Sequence, residues 1–478
     1  MITLEHYIRD HALSDPYKIA LIEGKKRVSY GDLWARIKST SLWLSQRAER
    51  GDRIIVSATK QIGFVYTYCG AHLAGLVCVP VDSETNATRL ARIIDVAKPR
   101  LVIGELHHGD GIEVVPFSAI EEGESEQVKM PDENDIADLL FTTGTTGLPK
   151  GVMLTHSNQM AAAHSINEFI GNTADDVELL ALPVSHSFGL GRLRCTLIAG
   201  GTIVLLGSFA SMKKFYAALE EYHVTGFGMV PAGWAYIKKM SGERIAQYAD
   251  RLRYIEIGSA FMSEDDKRLL MRLLPTTHIC MHYGLTEASR SAFISFHDEE
   301  DHLTSAGKAS PGVDISIIDE TGNMLPAGID GEVCVKGAHV CVGYWEQSQD
   351  EFLLDCCGDY FKTGDWGYLD KDDYLHLVSR KKEIINVGGK KVSPLEVEEA
   401  LNEIDGIKES IAVAMHDDVL GEVVKAFVVC STPLDFEAIK RLLSQRLENY
   451  KVPVAIETID ELPRTSSGKL QRLALADK

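Results

Sequence analysis

Through the first half of the chain, short runs of β-branched residues alternate with stretches whose apolar positions recur every three or four residues. Arg53-Ile-Ile-Val-Ser57 reads as a strand, Val65 to Ala74 as a helix, and Val77-Cys-Val-Pro-Val81 as the next strand. Arg89 to Ala97 is amphipathic, and Arg100-Leu-Val-Ile103 closes that unit. The alternation resumes between Leu179 and Ile257, with strands at Thr202-Ile-Val-Leu-Leu206 and Gly226-Phe-Gly-Met-Val230. Strands and helices in turn, joined by short connections, predict an α/β class of doubly wound parallel sheets with helices on both faces.

Near residue 303 the texture changes. Gly-punctuated β runs follow one another at Asp314–Ile318, Gly331–Gly337 and Tyr374–Val378, which predicts a small antiparallel sheet or β-barrel-like subdomain over 303–379. The charged stretch Arg380-Lys-Lys-Glu383 then leads into a strand, a Gly388-Gly389 turn and a helix from Pro394, and the tail is a compact α+β pattern. The expected division is a large N-terminal domain, 1–379, and a small C-terminal domain, 380–478.

Composition narrows the function classes. The 478 residues are 45% hydrophobic and 25% charged, ordinary for a globular protein with large cores. A formal charge of −20 disfavours nucleic acid and anionic lipid as partners. The nine cysteines are odd in number and form no CxxC, which fits free thiols in a reducing compartment rather than a disulfide framework or zinc site. No basic-then-apolar leader opens the sequence, and no apolar run approaches the ~20 residues of a membrane span, so a cytoplasmic location is expected.

The strongest chemical feature is Leu139-Leu-Phe-Thr-Thr-Gly-Thr-Thr-Gly-Leu-Pro-Lys-Gly-Val152, an apolar strand running into a Gly/Thr loop with a lysine. Glycines let backbone approach an anion, hydroxyls and amides donate to it, and lysine adds a point charge. The loop lacks the Gly-Lys-Ser/Thr of a Walker pattern. Gly189-Leu-Gly-Arg192 likewise fails as a dinucleotide fingerprint, because Arg stands at 194.

Thr142-Thr-Gly-Thr-Thr-Gly-Leu-Pro-Lys150-Gly resembles the phosphate loop of the adenylate-forming superfamily of AMP-forming acyl-CoA synthetases, nonribosomal adenylation domains and luciferases. Four further segments are similar to that family's motifs, in its order: Tyr283-Gly-Leu-Thr-Glu287, Tyr360-Phe-Lys-Thr-Gly-Asp365, Ser379-Arg-Lys-Lys-Glu-Ile-Ile385 and Leu462-Pro-Arg-Thr-Ser-Ser-Gly-Lys469. The resemblance implies an ATP-dependent acid–thiol ligase. A carboxylate would attack the α-phosphorus of ATP, pyrophosphate would leave, and a thiol would take the acyl group from the acyl-AMP. Coenzyme A is the implied thiol, with a carrier-protein phosphopantetheine as the alternative; the wider family also implies a place in fatty acid metabolism.

Site roles follow from the same resemblance. Thr142, Thr143, Gly144, Thr145, Thr146, Gly147 and Lys150 would hold the β- and γ-phosphates. Glu287 would bind Mg²⁺, with Thr286 beside it, and Tyr283 with Gly284 would face adenine opposite Gly258, Ser259 and Ala260. Asp365 and Arg380 would take the ribose, Lys382 would be a hinge, and Gly388-Gly389 would line the thiol tunnel, with Lys390 and Lys391 near the CoA phosphates. Lys469 would be the catalytic lysine between carboxylate and α-phosphate. Read as residues alone, Tyr283 is equally a core tyrosine, Asp365 a turn residue, and the lysines a solvated face.

His186, in Leu182-Pro-Val-Ser-His-Ser-Phe188, is implied to sit near the substrate carboxylate, with Phe188, Arg192 and Arg290 in the acyl pocket. No Asp occurs between 182 and 200, which argues against an α-amino acid substrate. On a helix Arg192 and Arg194 point about 200° apart, so at most one can face a pocket. Arg290 shares a face with Glu287 if that segment is helical. A polar group on the acyl chain and internal ion pairing both remain open for the three arginines.

Overall fold

The structure is a computed structural model that describes residues 2–106, 114–121, 123, 128–143, 149–209, 211–430, 435–464 and 470–476. The chain forms two compact units, residues 1–315 with 335–361, and residues 316–334 with 362–478.

Two sheets organise the first unit. Strand Arg53–Ser57 lies between Val77–Val81 and Leu101–Ile103, all parallel, and Ile136–Thr143 runs parallel beside Val77–Val81. The last turns back as a hairpin into Pro149–Thr155, whose outer edge pairs with the short strand Gly343–Tyr344. The hairpin register puts Thr142 opposite Lys150 and Thr143 opposite Pro149. Residues 144–148, which carry Gly144, Thr145, Thr146 and Gly147, lie outside the described residues.

The second sheet has nine strands. Its parallel centre runs His278–Tyr283, Tyr254–Gly258, Gly226–Met229, Val177–Leu180, Thr202–Leu205 and Ile19–Glu23, with antiparallel strands at both edges. These strands are buried on both faces, which is why they read as near-continuous apolar runs. Helix Ser187–Ala199 crosses from Val177–Leu180 to Thr202–Leu205, its Gly200 cap in the left-handed conformation at φ 78°.

Between these layers lie buried ions instead of hydrocarbon alone. His72 is bonded to Glu5 at 3.2 Å and to Asp138 at 3.0 Å, and Arg194 donates to Asp138 at 3.1 Å and to the Tyr68 hydroxyl at 2.9 Å. All five side chains are buried. Burial alone would push His72 down, but its hydrogen bonds to Asp138 and Glu5 carry it up to about 9. The imidazolium thus balances two carboxylates that could not be buried unpaired.

The run expected to be barrel-like forms an open five-stranded sheet, and no closed barrel is present among the described residues. Its edge strand, Cys356–Cys357, has only two residues, too short for the staggered register that closure requires. In the second unit, Ile407–Asp417, Gly421–Cys430, Ile385–Val387 and Lys390–Val392 form a sheet, with Ala455–Thr458 parallel to Gly421–Cys430. Helix Pro394–Asn402 starts at Pro394 and is capped by Ser393. All nine cysteines are free thiols.

Candidate active site

In open α/β sheets ligands gather beyond the carboxyl ends of parallel strands. In the nine-stranded sheet that edge carries Ser259-Ala260 after Tyr254–Gly258, Tyr283 at the end of His278–Tyr283, and His186 on the connection after Val177–Leu180. The first two strands are neighbours with Gly258 opposite His282, so the Gly258-Ser259-Ala260 and Tyr283-Gly284 segments leave the sheet side by side. Ser259 takes a left-handed φ of 74° and is exposed, as is Ala260. Such strain in a non-glycine residue is held only where surrounding structure over-determines it, and it clusters at ligand sites. Gly258 is required by packing, since a Cβ there would lie 2.1 Å from the His282 ring.

The segment after Tyr283 is not helical. Leu285 and Ala288 close a tight turn by mutual backbone bonds, and Ala288 bridges to Val340. Arg290 is left-handed at φ 58°, so it does not share a helix face with Glu287. Gly284 sits so close to the Arg290 backbone, 2.4 Å from a built Cβ to its nitrogen, that any side chain would disrupt the turn. Glu287 and Thr286 are half-buried at its tip.

Tyr344, which the sequence did not single out, ties this turn to the phosphate-loop hairpin. Its hydroxyl donates to Glu287 Oε1 at 3.0 Å, and its ring lies 4.8 Å under the Lys150 ammonium. The strand that carries Tyr344 pairs with the Lys150 strand, and Cys341 N–H donates to the Glu287 carbonyl at 2.7 Å. One carboxylate and one ammonium are therefore set on either side of a single tyrosine. A half-buried carboxylate is a ligand that Mg²⁺ takes when phosphate oxygens and water complete its shell.

The three arginines are engaged internally. Arg192 is fully buried, 2.7 Å from Glu178 and 3.3 Å from Glu256. Arg194 belongs to the Asp138 cluster, and Arg290 donates to Glu256 at 3.0 Å. Internal ion pairing is thus the reading the structure takes for all three, with acidic partners on strands distant in sequence. His186 is exposed and serves as the N-cap residue of helix Ser187–Ala199, while Phe188 is buried with its ring edge-on to His282 at 4.6 Å.

In the second unit Asp365 and Arg380 stand opposite each other on paired strands, their side chains 2.9 Å apart. Lys382 lies in a single 3₁₀ turn just after Arg380. Gly388 and Gly389 are both left-handed, at φ 56° and 85°. Lys391 pairs with Glu320 at 3.0 Å and covers the Trp366 ring, and Lys390 covers Tyr450. Lys469 lies outside the described residues. No described helix is long and apolar enough to cross a membrane.

Comparison with known proteins agrees with this layout. Residues 8–345 match the family model described as AMP-binding enzyme, and residues 396–469 match the AMP-binding enzyme C-terminal domain. A feruloyl-CoA synthase of Amycolatopsis sp is 29% identical, covering 96% of this chain and 95% of its own. A 2-succinylbenzoate–CoA ligase of Enterococcus faecalis is 33% identical over 71% of this chain and 69% of its own. Among solved structures, o-succinylbenzoate CoA synthetase from Bacillus subtilis in complex with its acyl-adenylate superposes with a TM-score of 0.89 at 25% identity, covering 99% and 98% of the two chains. ATP-bound MatB from Rhodopseudomonas palustris gives 0.88 at 26% identity, covering 100% and 99%.

Proposed function

The chain belongs to the AMP-binding enzyme family, and from that premise we propose that it joins a carboxylic acid to coenzyme A through an acyl-AMP, releasing AMP and pyrophosphate. The observation that carries the reading is the Lys150–Tyr344–Glu287 arrangement, which sets a cation and a carboxylate beside the Gly/Thr hairpin. The curated relatives named above are acid–CoA ligases, and the Bacillus subtilis neighbour was solved with its acyl-adenylate.

Adenylation is limited by negative charge on the α-phosphoryl group and the departing pyrophosphate, so fixed donors and cations do most of the catalytic work. We assign Thr142, Thr143, Lys150 and residues 144–147 to the β- and γ-phosphates, and Tyr283 with the Gly258–Ala260 backbone to adenine. Glu287 would hold Mg²⁺, which when bound neutralises phosphate charge. Tyr344 fixes the rotamer of that carboxylate. His186, at the mouth of helix Ser187–Ala199, is assigned to the substrate carboxylate. Asp365, oriented by Arg380, is assigned to the ribose, and Lys469 to the charge shared between attacking carboxylate and α-phosphate. Transfer to the thiol is assigned to the Gly388-Gly389 turn, where the absence of side chains admits a pantetheine arm.

The test is product identity. With ATP, Mg²⁺, CoA and a panel of acids, mass spectrometry is expected to show acyl-CoA and AMP in equal amounts. Formation of ADP, or of acyl-AMP that never passes to CoA, would contradict the ligase reading.

A further inference from the structure

Arg290 does more than balance charge. Its Nη1 donates to the Ser187 carbonyl at 2.8 Å and to Ser289 Oγ at 3.0 Å, and its Nη2 donates to the Phe188 carbonyl at 3.0 Å. Its Nε donates to Glu256 Oε1 at 3.0 Å, and the guanidinium lies 4.8 Å over the Phe188 ring. Two of these acceptors are backbone carbonyls in the first turn of helix Ser187–Ala199, immediately after His186. That turn is shaped to receive them. A Cβ at Gly191 would lie 2.5 Å from Arg290 Nη1, and one at Gly189 would lie 2.2 Å from the Pro183 carbonyl oxygen.

Beneath the turn the space is filled by ions. Glu256 meets Arg290, His282 at 2.7 Å and Arg192 at 3.3 Å, while Arg192 meets Glu178, which accepts the Tyr254 hydroxyl. Every one of these side chains is buried. Gly228, on the strand facing the helix, has no room either, since a Cβ there would lie 2.7 Å from Leu182 and 3.1 Å from Phe188. Two guanidinium groups face two carboxylates, so the layer is balanced without a substrate anion. An alkyl chain driven along the helix would have to part these pairs, and parting a buried pair leaves an uncompensated charge away from water.

We propose that Arg290 is a positioning residue that clamps the first turn of helix Ser187–Ala199, holding His186 toward the substrate carboxylate and Phe188 as a fixed end wall, so that the acyl pocket takes compact aryl or short-chain acids rather than extended alkyl chains. The inference rests on the ligase reading for its substrate class, and on the guanidinium geometry alone for the clamp. A lysine at 290 keeps the charge beside Glu256 but cannot serve the carboxylate and both carbonyls at once.

Acid-dependent pyrophosphate release from the wild type is expected to favour benzoate, cinnamate and butanoate over palmitate by about tenfold or more in kcat/KM. Arg290→Lys is expected to raise KM for the favoured acid about tenfold, the loss of one hydrogen bond to a charged group, with KM for ATP within about twofold. Amide hydrogen exchange in peptides covering 184–193 is expected to quicken in Arg290→Lys while the rest of the first unit stays protected. Preference for palmitate overturns the pocket assignment, and unchanged KM with unchanged exchange overturns the clamp. Release with no acid at all overturns the ligase reading and with it the acid preference, whereas the exchange rates still decide the clamp.

Discussion

The two ends of the site in the first unit are built in opposite ways. The segments proposed for the nucleotide are short contiguous runs of sequence: 142–150, Gly258–Ala260 and Tyr283–Glu287. The proposed acyl end depends on Arg290, Glu256, Arg192 and Glu178, residues spread over more than a hundred positions that meet only in the folded sheet. Phosphate recognition needs backbone brought close to an anion, and adjacent small residues suffice for that. An end wall needs rigidity across several elements, and only packing between distant strands supplies it. Changes at the nucleotide end should therefore cost rate with little stability, and changes in the ionic layers should cost stability or positioning first.

The largest effect expected on rate is that of Lys469→Ala. Loss of one transition-state cation should slow acyl-AMP formation about 10²–10³-fold. Thioester formation from supplied acyl-AMP should be largely spared, and the melting temperature unchanged. Equal loss in both half-reactions, measured by single-turnover kinetics, would break the contrast.

His72→Gln tests the other half. Removing the imidazolium from between Glu5 and Asp138 should destabilise the fold by about 3 kcal/mol, read from urea unfolding. Because the folded pKa of His72 is raised to about 9, its contribution is complete below about 6.5 and disappears as pH climbs through about 9. The stability gap between wild type and variant should narrow over that window. A gap that widens with pH would mean His72 is neutral in the fold.

A smaller effect distinguishes Tyr344→Phe. Loss of the hydroxyl on Glu287 should raise KM for Mg·ATP about tenfold and leave KM for the acid unchanged. An equal rise in both would show that Tyr344 supports the pocket as a whole.

This contrast also explains what the chain discloses before it folds. Strands such as Arg53–Ser57, Val77–Val81 and Thr202–Leu205 were legible because both of their faces are buried, while the Gly/Thr run stands out because its small and hydroxyl residues are contiguous, with 144–148 outside the described residues. Tyr344 was not, since a two-residue strand has no periodicity and its partner lies 57 positions away. Arg192 stood out as a charge in an apolar stretch and Arg290 by its spacing from Glu287, but their partners Glu178 and Glu256 sit inside strands that read simply as β. For 303–379 strand number and turn signals left a small antiparallel sheet or a barrel-like form open, because they say nothing about whether the last edge finds the first, and the described strands form an open sheet.

On the proposed mechanism, Glu287 and the Gly/Thr hairpin act together on ATP only when an acid is present to attack it. Exchange of labelled pyrophosphate into ATP tests this most directly, in wild type and in Glu287→Gln. The account predicts exchange that requires added acid and falls about 10²-fold in the variant. Exchange without any acid, or equal exchange in the two proteins, would contradict it.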